Sequence, residues 1–121
     1  LIDPFGDGPL EGRARSYLDA NCSHCHRAGG GGGSSGLVLL ASEQQPRKFG
    51  VCKSPVAAGP GSGGRLHDIE PGNPDGSIMI FRMASTDPEL KMPEIPNLVP
   101  DEPGVALISE WIAGLRPAGC E

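Results

Sequence analysis

Residues 22–26 read Cys22-Ser23-His24-Cys25-His26, and few short segments restrict the surroundings of a chain so tightly. Two thiols separated by two residues, with a histidine directly after the second, make the attachment site of a c-type haem. The chemistry asks for that order. Each thiol adds to one vinyl group of the porphyrin, and the two intervening residues let one short turn reach both vinyls. The next residue is delivered beneath the iron, where an imidazole nitrogen binds it. Cys22 and Cys25 are therefore expected to hold the porphyrin, with His26 as the proximal iron ligand. His24, inside the motif, is expected to point away as a bystander.

A bare Cys-x-x-Cys has other uses, in thioredoxin-like redox sites and in zinc knuckles. A redox pair wants a strand–helix–strand setting, and no such pattern surrounds residues 22–25. Zinc needs two more ligands, which Cys52, His67 and Cys120 offer in principle. None of these three stands in a second paired spacing. The histidine after the second thiol favours haem over both.

A length of 121 residues makes one domain the default, with residues 1–11 as an extended tail or linker. Gly (19) and Pro (13) are abundant while aromatic residues make up only 4% of the chain, close to the composition at which low complexity becomes a concern. A covalent porphyrin relieves that tension. It is itself a large apolar core element, and loop-rich wrapping around a flat cofactor uses many turn formers. The net charge of −5 argues against a nucleic-acid partner, because phosphate binding wants a basic patch. No run of about twenty apolar residues is present to span a membrane. The chain shows no leader and starts at Leu1 rather than Met, which reads as a processed protein or an excised domain. Because bacteria attach haem covalently outside the cytoplasm, a periplasmic or otherwise exported location is expected.

Three helices are expected. The first covers 12–21, with Ala14, Tyr17, Leu18 and Ala20 as its apolar stripe leading into the motif. The second runs over 73–85, with Asn73 as N-cap, Pro74 at the first helical position and Asp75 in the first turn. The third covers 102–115, with Val105, Leu107, Ile108, Trp111, Ile112 and Leu115 on one face, and Pro117 as its stop. Two glycine-rich stretches, 29–36 and 59–64, lack the Gly-Lys-Ser/Thr of a phosphate loop and read as flexible surface connections. Leu37-Val38-Leu39-Leu40 is a short apolar run expected either as a strand or as leucines laid along a haem edge.

The order of N-terminal helix, Cys-x-x-Cys-His, long loop, Met92-Pro93 and C-terminal helix with an aromatic resembles a class I cytochrome c over about 12–115. Pro71-Gly72-Asn73-Pro74-Asp75-Gly76-Ser77-Ile78, with Arg82-Met83 and Met92-Pro93, is similar to bacterial haem c domains that stand alone or are fused to periplasmic dehydrogenase-like modules. The resemblance implies an all-α cytochrome c fold, three to four helices and long loops wrapped around one covalent haem. It also implies Met92 as the distal ligand, in a segment stiffened by Pro93 and Pro96. Met79, Met83, His67 and His24 are the other candidates. Met79 and Met83 lie four apart on a helix, a spacing that suits core filling, and His67 would give bis-His ligation with a lower potential.

The expected activity is one-electron transfer rather than catalysis, with a redox partner protein or a fused dehydrogenase domain as the counterpart. An iron filled by His26 and Met92 leaves no place for substrate. A haem sensor or peroxidase-like enzyme with an open sixth site, and a structural zinc module, are the rival classes. Arg65, Arg82 and Lys53 are candidates to pair the haem propionates, and Trp111 is expected in the core. Haem attachment in an oxidising compartment leaves Cys52 and Cys120 over, and two such thiols are expected to pair.

Overall fold

The computed structural model describes residues 1–56, 59–93 and 99–120. Among them are three α-helices, three short 3-10 turns and two isolated β-bridges, with no strand. The described residues are therefore built from helix and loop, as expected for an all-α protein. None of its described helices is long and apolar enough to cross a membrane. It divides into two compact units, Leu1–Gly50 and Val51–Glu121.

The first unit is organised by helix α1, Leu10–Cys22, which starts two residues before the expected position. Pro9 stands just outside it in an extended conformation, and Glu11 in its first turn accepts from Arg15 Nε one turn on at 2.6 Å. An acid near the positive end of the helix dipole, paired four residues on with a base, favours that earlier start. Ala14, Tyr17 and Leu18 are buried as the stripe required, together with Ser16, whereas Ala20 is exposed.

The segment ahead of α1 folds back along it. Ile2 N donates to Ser16 Oγ at 3.0 Å, Phe5 meets Tyr17 edge-on with centroids 6.1 Å apart, and Arg13 Nε donates to Gly8 O. On the loop after the motif, Arg15 Nη1 donates to the carbonyls of Ala41 and Glu43 and its guanidinium lies 4.3 Å from the centre of the Phe49 ring. Asp19 Oδ2 accepts from Ala41 N at 2.8 Å. Residues 41–49 are thus tied to α1 by one arginine and one aspartate four positions apart, which share a helix face. Leu37–Leu40 forms no strand. It contributes single backbone bonds, Val38 N to Lys48 O and Leu39 N to His26 O, and Leu39 is buried.

In the second unit the expected helix over 73–85 is divided. Asn73 Oδ1 accepts from Gly76 N and caps a 3-10 turn, Pro74–Gly76. Helix α2 then covers only Ile78–Ala84. Ser77 separates the two because its backbone is extended, at φ −99° and ψ 129°, and bridges His67. Its fully buried side chain donates to Asn73 O and accepts from Glu70 N. A serine that satisfies its hydroxyl in this way holds the extended backbone against continuation of the helix.

Helix α3, Glu102–Gly114, matches the expected start and ends one residue early. Asp101 Oδ1 accepts from Gly104 N at its N-terminus, and Leu115 is already extended two residues before Pro117. Helices α2 and α3 pack together. Ile78, Ile80 and Met83 of α2, Leu107, Ile108, Trp111 and Ile112 of α3, and Ile69 are buried. Cys52 and Cys120 are joined by a disulfide with Cα atoms 5.5 Å apart, as expected for the two leftover thiols.

Asp68 is buried in this unit with Lys53 Nζ 3.9 Å from its Oδ2. Burial raises its carboxyl above the ordinary aspartate value and outweighs the opposing pull of Lys53, Arg82 and His67. A raised folded-state value means that the native state holds the proton more tightly than the unfolded chain. That contribution is complete below the ordinary aspartate value and is lost as pH rises through the folded-state value. Asp68→Asn should therefore unfold at higher denaturant than the wild type at neutral pH, with the gap closing on acidification. Urea titrations at neutral and acidic pH check this; a gap that widens in acid would contradict it.

Candidate functional site

The Cys-x-x-Cys-His motif sits where α1 unwinds. Ser23 N still bonds to Leu18 O and Asp19 O, and Ser23 Oγ donates to Asp19 O at 2.6 Å. Cys25 N and His26 N then both donate to Cys22 O, at 3.2 and 2.9 Å. One carbonyl thus closes a single turn that carries both thiols and the imidazole. Cys22 is half-buried and Cys25 exposed, and neither forms a disulfide. Burial, followed by the neighbouring Cys25, pushes the Cys22 thiol up to about 12. Attacking thiols of redox pairs are shifted the opposite way, toward the thiolate. His24 is exposed.

The glycine-rich stretch 29–36, expected as a flexible connection, instead packs on this turn. Gly32 N donates to Cys25 O at 2.8 Å. A Cβ on Gly30 would lie 2.5 Å from Cys25 O, and one on Gly32 would lie 3.0 Å from the His26 ring. At Gly30 only glycine permits so close an approach, and at Gly32 a side chain would press the imidazole aside by a few tenths of an ångström. Gly31, between them, has open space around its missing Cβ. Gly30→Ala should cost about 1–3 kcal/mol in unfolding free energy and Gly31→Ala much less, a contrast that equilibrium denaturation of the two variants measures directly.

His26 is held on both sides of its backbone and at its ring. Its carbonyl accepts from Leu39 N at 2.8 Å, and its Nδ1 lies 3.2 Å from Ser35 Oγ. Ser35 ends a 3-10 turn, Gly33–Ser35, which Gly36 closes at φ 78°. Ser35 is a contact that composition hid, because it stands among glycines and belongs to no motif. An imidazole anchored through Nδ1 offers Nε2 to a metal, the arrangement usual for metal-binding histidines. The residues present therefore suit a covalently held metalloporphyrin: two unbridged thiols on one turn and an imidazole oriented from behind.

The remaining candidates lie in the second unit. Met83 is buried in α2, and Met79 and Met92 are half-buried. Met92 N donates to Arg82 O at 3.1 Å, Arg82 Nε donates to Leu90 O, and the buried Lys91 sends Nζ to Met83 O and Met92 O at 3.3 and 3.5 Å. These bonds pin 90–92 to the C-terminal end of α2, an anchor the sequence did not suggest. Pro96 lies outside the described residues. His67 Nδ1 is buried without a hydrogen bond, 3.9 Å from Glu70 Oε1.

The three basic side chains suggested for propionates all have protein contacts. Arg65 bonds to Asp75 O and Gly63 O and stacks on Phe81, Arg82 holds Leu90 O, and Lys53 bonds to Ser54 O. Cys52 and Cys120, which a zinc site would have drawn upon, are spent on each other. Comparison with protein-family models, with curated proteins and with solved structures gives no match.

Proposed function

We propose that this chain is a monohaem c-type cytochrome that carries single electrons, alone or as the electron-transfer domain of a periplasmic dehydrogenase. One observation carries the reading. The Cys-x-x-Cys-His sequence forms a single turn at the end of α1, with two unbridged thiols and His26 held through Nδ1. In this reading Cys22 and Cys25 bind the porphyrin, His26 is the proximal ligand and Met92 the distal one. The bound iron supplies a one-electron ferric–ferrous couple whose potential the ligands and their surroundings set. The protein's own part is to hold the imidazole and thioether in place and to limit water, with no proton or substrate handled by the chain. The all-helical architecture with long loops is compatible with a cytochrome c fold. The disulfide supports an oxidising, exported location, and the acidic net charge suits a transient protein partner with a complementary basic face.

The test is a visible spectrum of the purified protein before and after acid–acetone extraction. Pigment that stays with the polypeptide and gives a reduced c-type spectrum supports the proposal; extractable pigment, or zinc without porphyrin, overturns it. The ligand assignment has its own test. Met92→Ala should abolish the weak far-red band of ferric iron–sulfur ligation, lower the potential and let cyanide or carbon monoxide bind. Loss of the band in Met83→Ala but not in Met92→Ala would move the ligand to α2.

A further inference from the structure

We infer that Ser35 is a positioning residue for His26, fixing the ring as its Nδ1–H tautomer and so presenting the Nε2 lone pair as the ligating nitrogen; the inference deepens the proposed proximal role of His26 and rests on it. A serine hydroxyl has one proton to give and two lone pairs to accept with. Ser35 Oγ lies 2.7 Å from Gly32 O, a partner that can only accept, so the hydroxyl proton is committed there. Leu37 N lies 3.2 Å from the same oxygen and can only donate, which occupies one lone pair. The third partner, His26 Nδ1 at 3.2 Å, must then donate into the remaining lone pair. The protonated ring nitrogen is Nδ1, and Nε2 carries the lone pair.

The glycines make this contact feasible. Gly32 lies flat against the imidazole, where a Cβ would come within 3.0 and 3.1 Å of ring atoms. Its backbone N donates to Cys25 O while its carbonyl accepts from both Ser35 N and Ser35 Oγ. The loop is thus tied to the motif at one atom and presents the hydroxyl to the ring at another. The outcome is a chain from His26 Nδ1–H to Ser35 Oγ–H to Gly32 O, in which each bond polarises the next. A ring that donates through Nδ1 is more basic at Nε2, and a more basic ligand favours the ferric over the ferrous iron. Ser35 therefore lowers the reduction potential as well as orienting the ring.

The experiment compares wild-type protein, Ser35→Ala and Ser35→Thr, each purified from a host able to attach haem. Two quantities are read: the exchange rate of the His26 Nδ1 proton by long-range proton–nitrogen NMR of the reduced protein, and the midpoint potential. Loss of a hydrogen bond of this kind should speed exchange about fivefold and shift the ferrous-to-ferric ratio at fixed applied potential about threefold toward ferrous in Ser35→Ala. Ser35→Thr, which keeps the hydroxyl, should restore both. A loop-packing role alone would lower thermal stability without moving either quantity, and that result overturns the inference. Should the protein carry no haem, the functional reading fails separately. The ring tautomer then becomes the readout, and protonation at Nε2 in the wild type overturns the role of Ser35.

Discussion

Replacing both Cys22 and Cys25 by serine should abolish covalent retention of pigment, so that acid–acetone extraction strips whatever haem the variant binds. The effect is expected to be all-or-none because a thioether survives extraction and hydrogen bonds or iron ligation do not. Serine is close in volume to cysteine and Cys25 is exposed, so the turn closed on Cys22 O should persist. Each single variant should keep pigment through the other thiol, in reduced yield. His26→Ala should keep some attachment but lose native ligation, which the visible spectrum reports. His24→Ala is the control: its side chain is exposed and its loss should change neither yield nor spectrum. Equal pigment retention in the double-serine variant would sink the attachment reading outright.

The second large effect is on stability. Cys52 and Cys120 are 68 positions apart, and a cross-link closing so long a loop removes much of the freedom of the unfolded chain. The chain-entropy estimate is on the order of 4 kcal/mol, an upper figure because native strain reduces it. The native bonds near the bridge show what it braces. Cys52 N donates to Ile69 O, Gly72 N to Ile112 O and Gly119 N to Pro71 O, so the C-terminal segment, residues 69–72 and the end of α3 form one knot. Cys52→Ser with Cys120→Ser should shift the unfolding midpoint strongly downward while leaving the visible spectrum of the folded protein unchanged. Thiol counting on denatured, unreduced wild type should find neither of these cysteines free.

The helices were legible to the degree that local signals governed them. An apolar face from Val105 to Leu115, with Pro117 beyond its end, set α3 almost to the residue, because periodicity and a breaker agreed; the cap at Asp101 emerged only in the structure. At 73–85 the same kind of signal, Asn73 followed by Pro74, was real but governed only the 3-10 turn. The extended conformation of Ser77 comes from its bridge to His67, ten positions earlier, and no local pattern announces such a partner. Ala20 had the right period for burial in α1 and is exposed, while Ser16 is buried under the returning N-terminal segment.

The sequence by itself determined the chemistry on offer: a Cys-x-x-Cys-His turn, a Met-Pro segment ahead of the last helix, and a leftover cysteine pair. These follow from covalent reactivity and residue spacing, which do not depend on the rest of the fold. Tertiary structure decided what surrounds that chemistry. It turned a glycine-rich stretch into a packed support in which Gly30 approaches the motif too closely for any side chain and Gly32 lies tight against the His26 ring. It brought Ser35 to His26 and buried Lys91 against the carbonyls of Met83 and Met92. The physical reason is the same in each case. A glycine, a serine hydroxyl or a lysine ammonium has no periodic signature, and its role is set by whichever unsatisfied backbone or ring atom the fold places within hydrogen-bond reach.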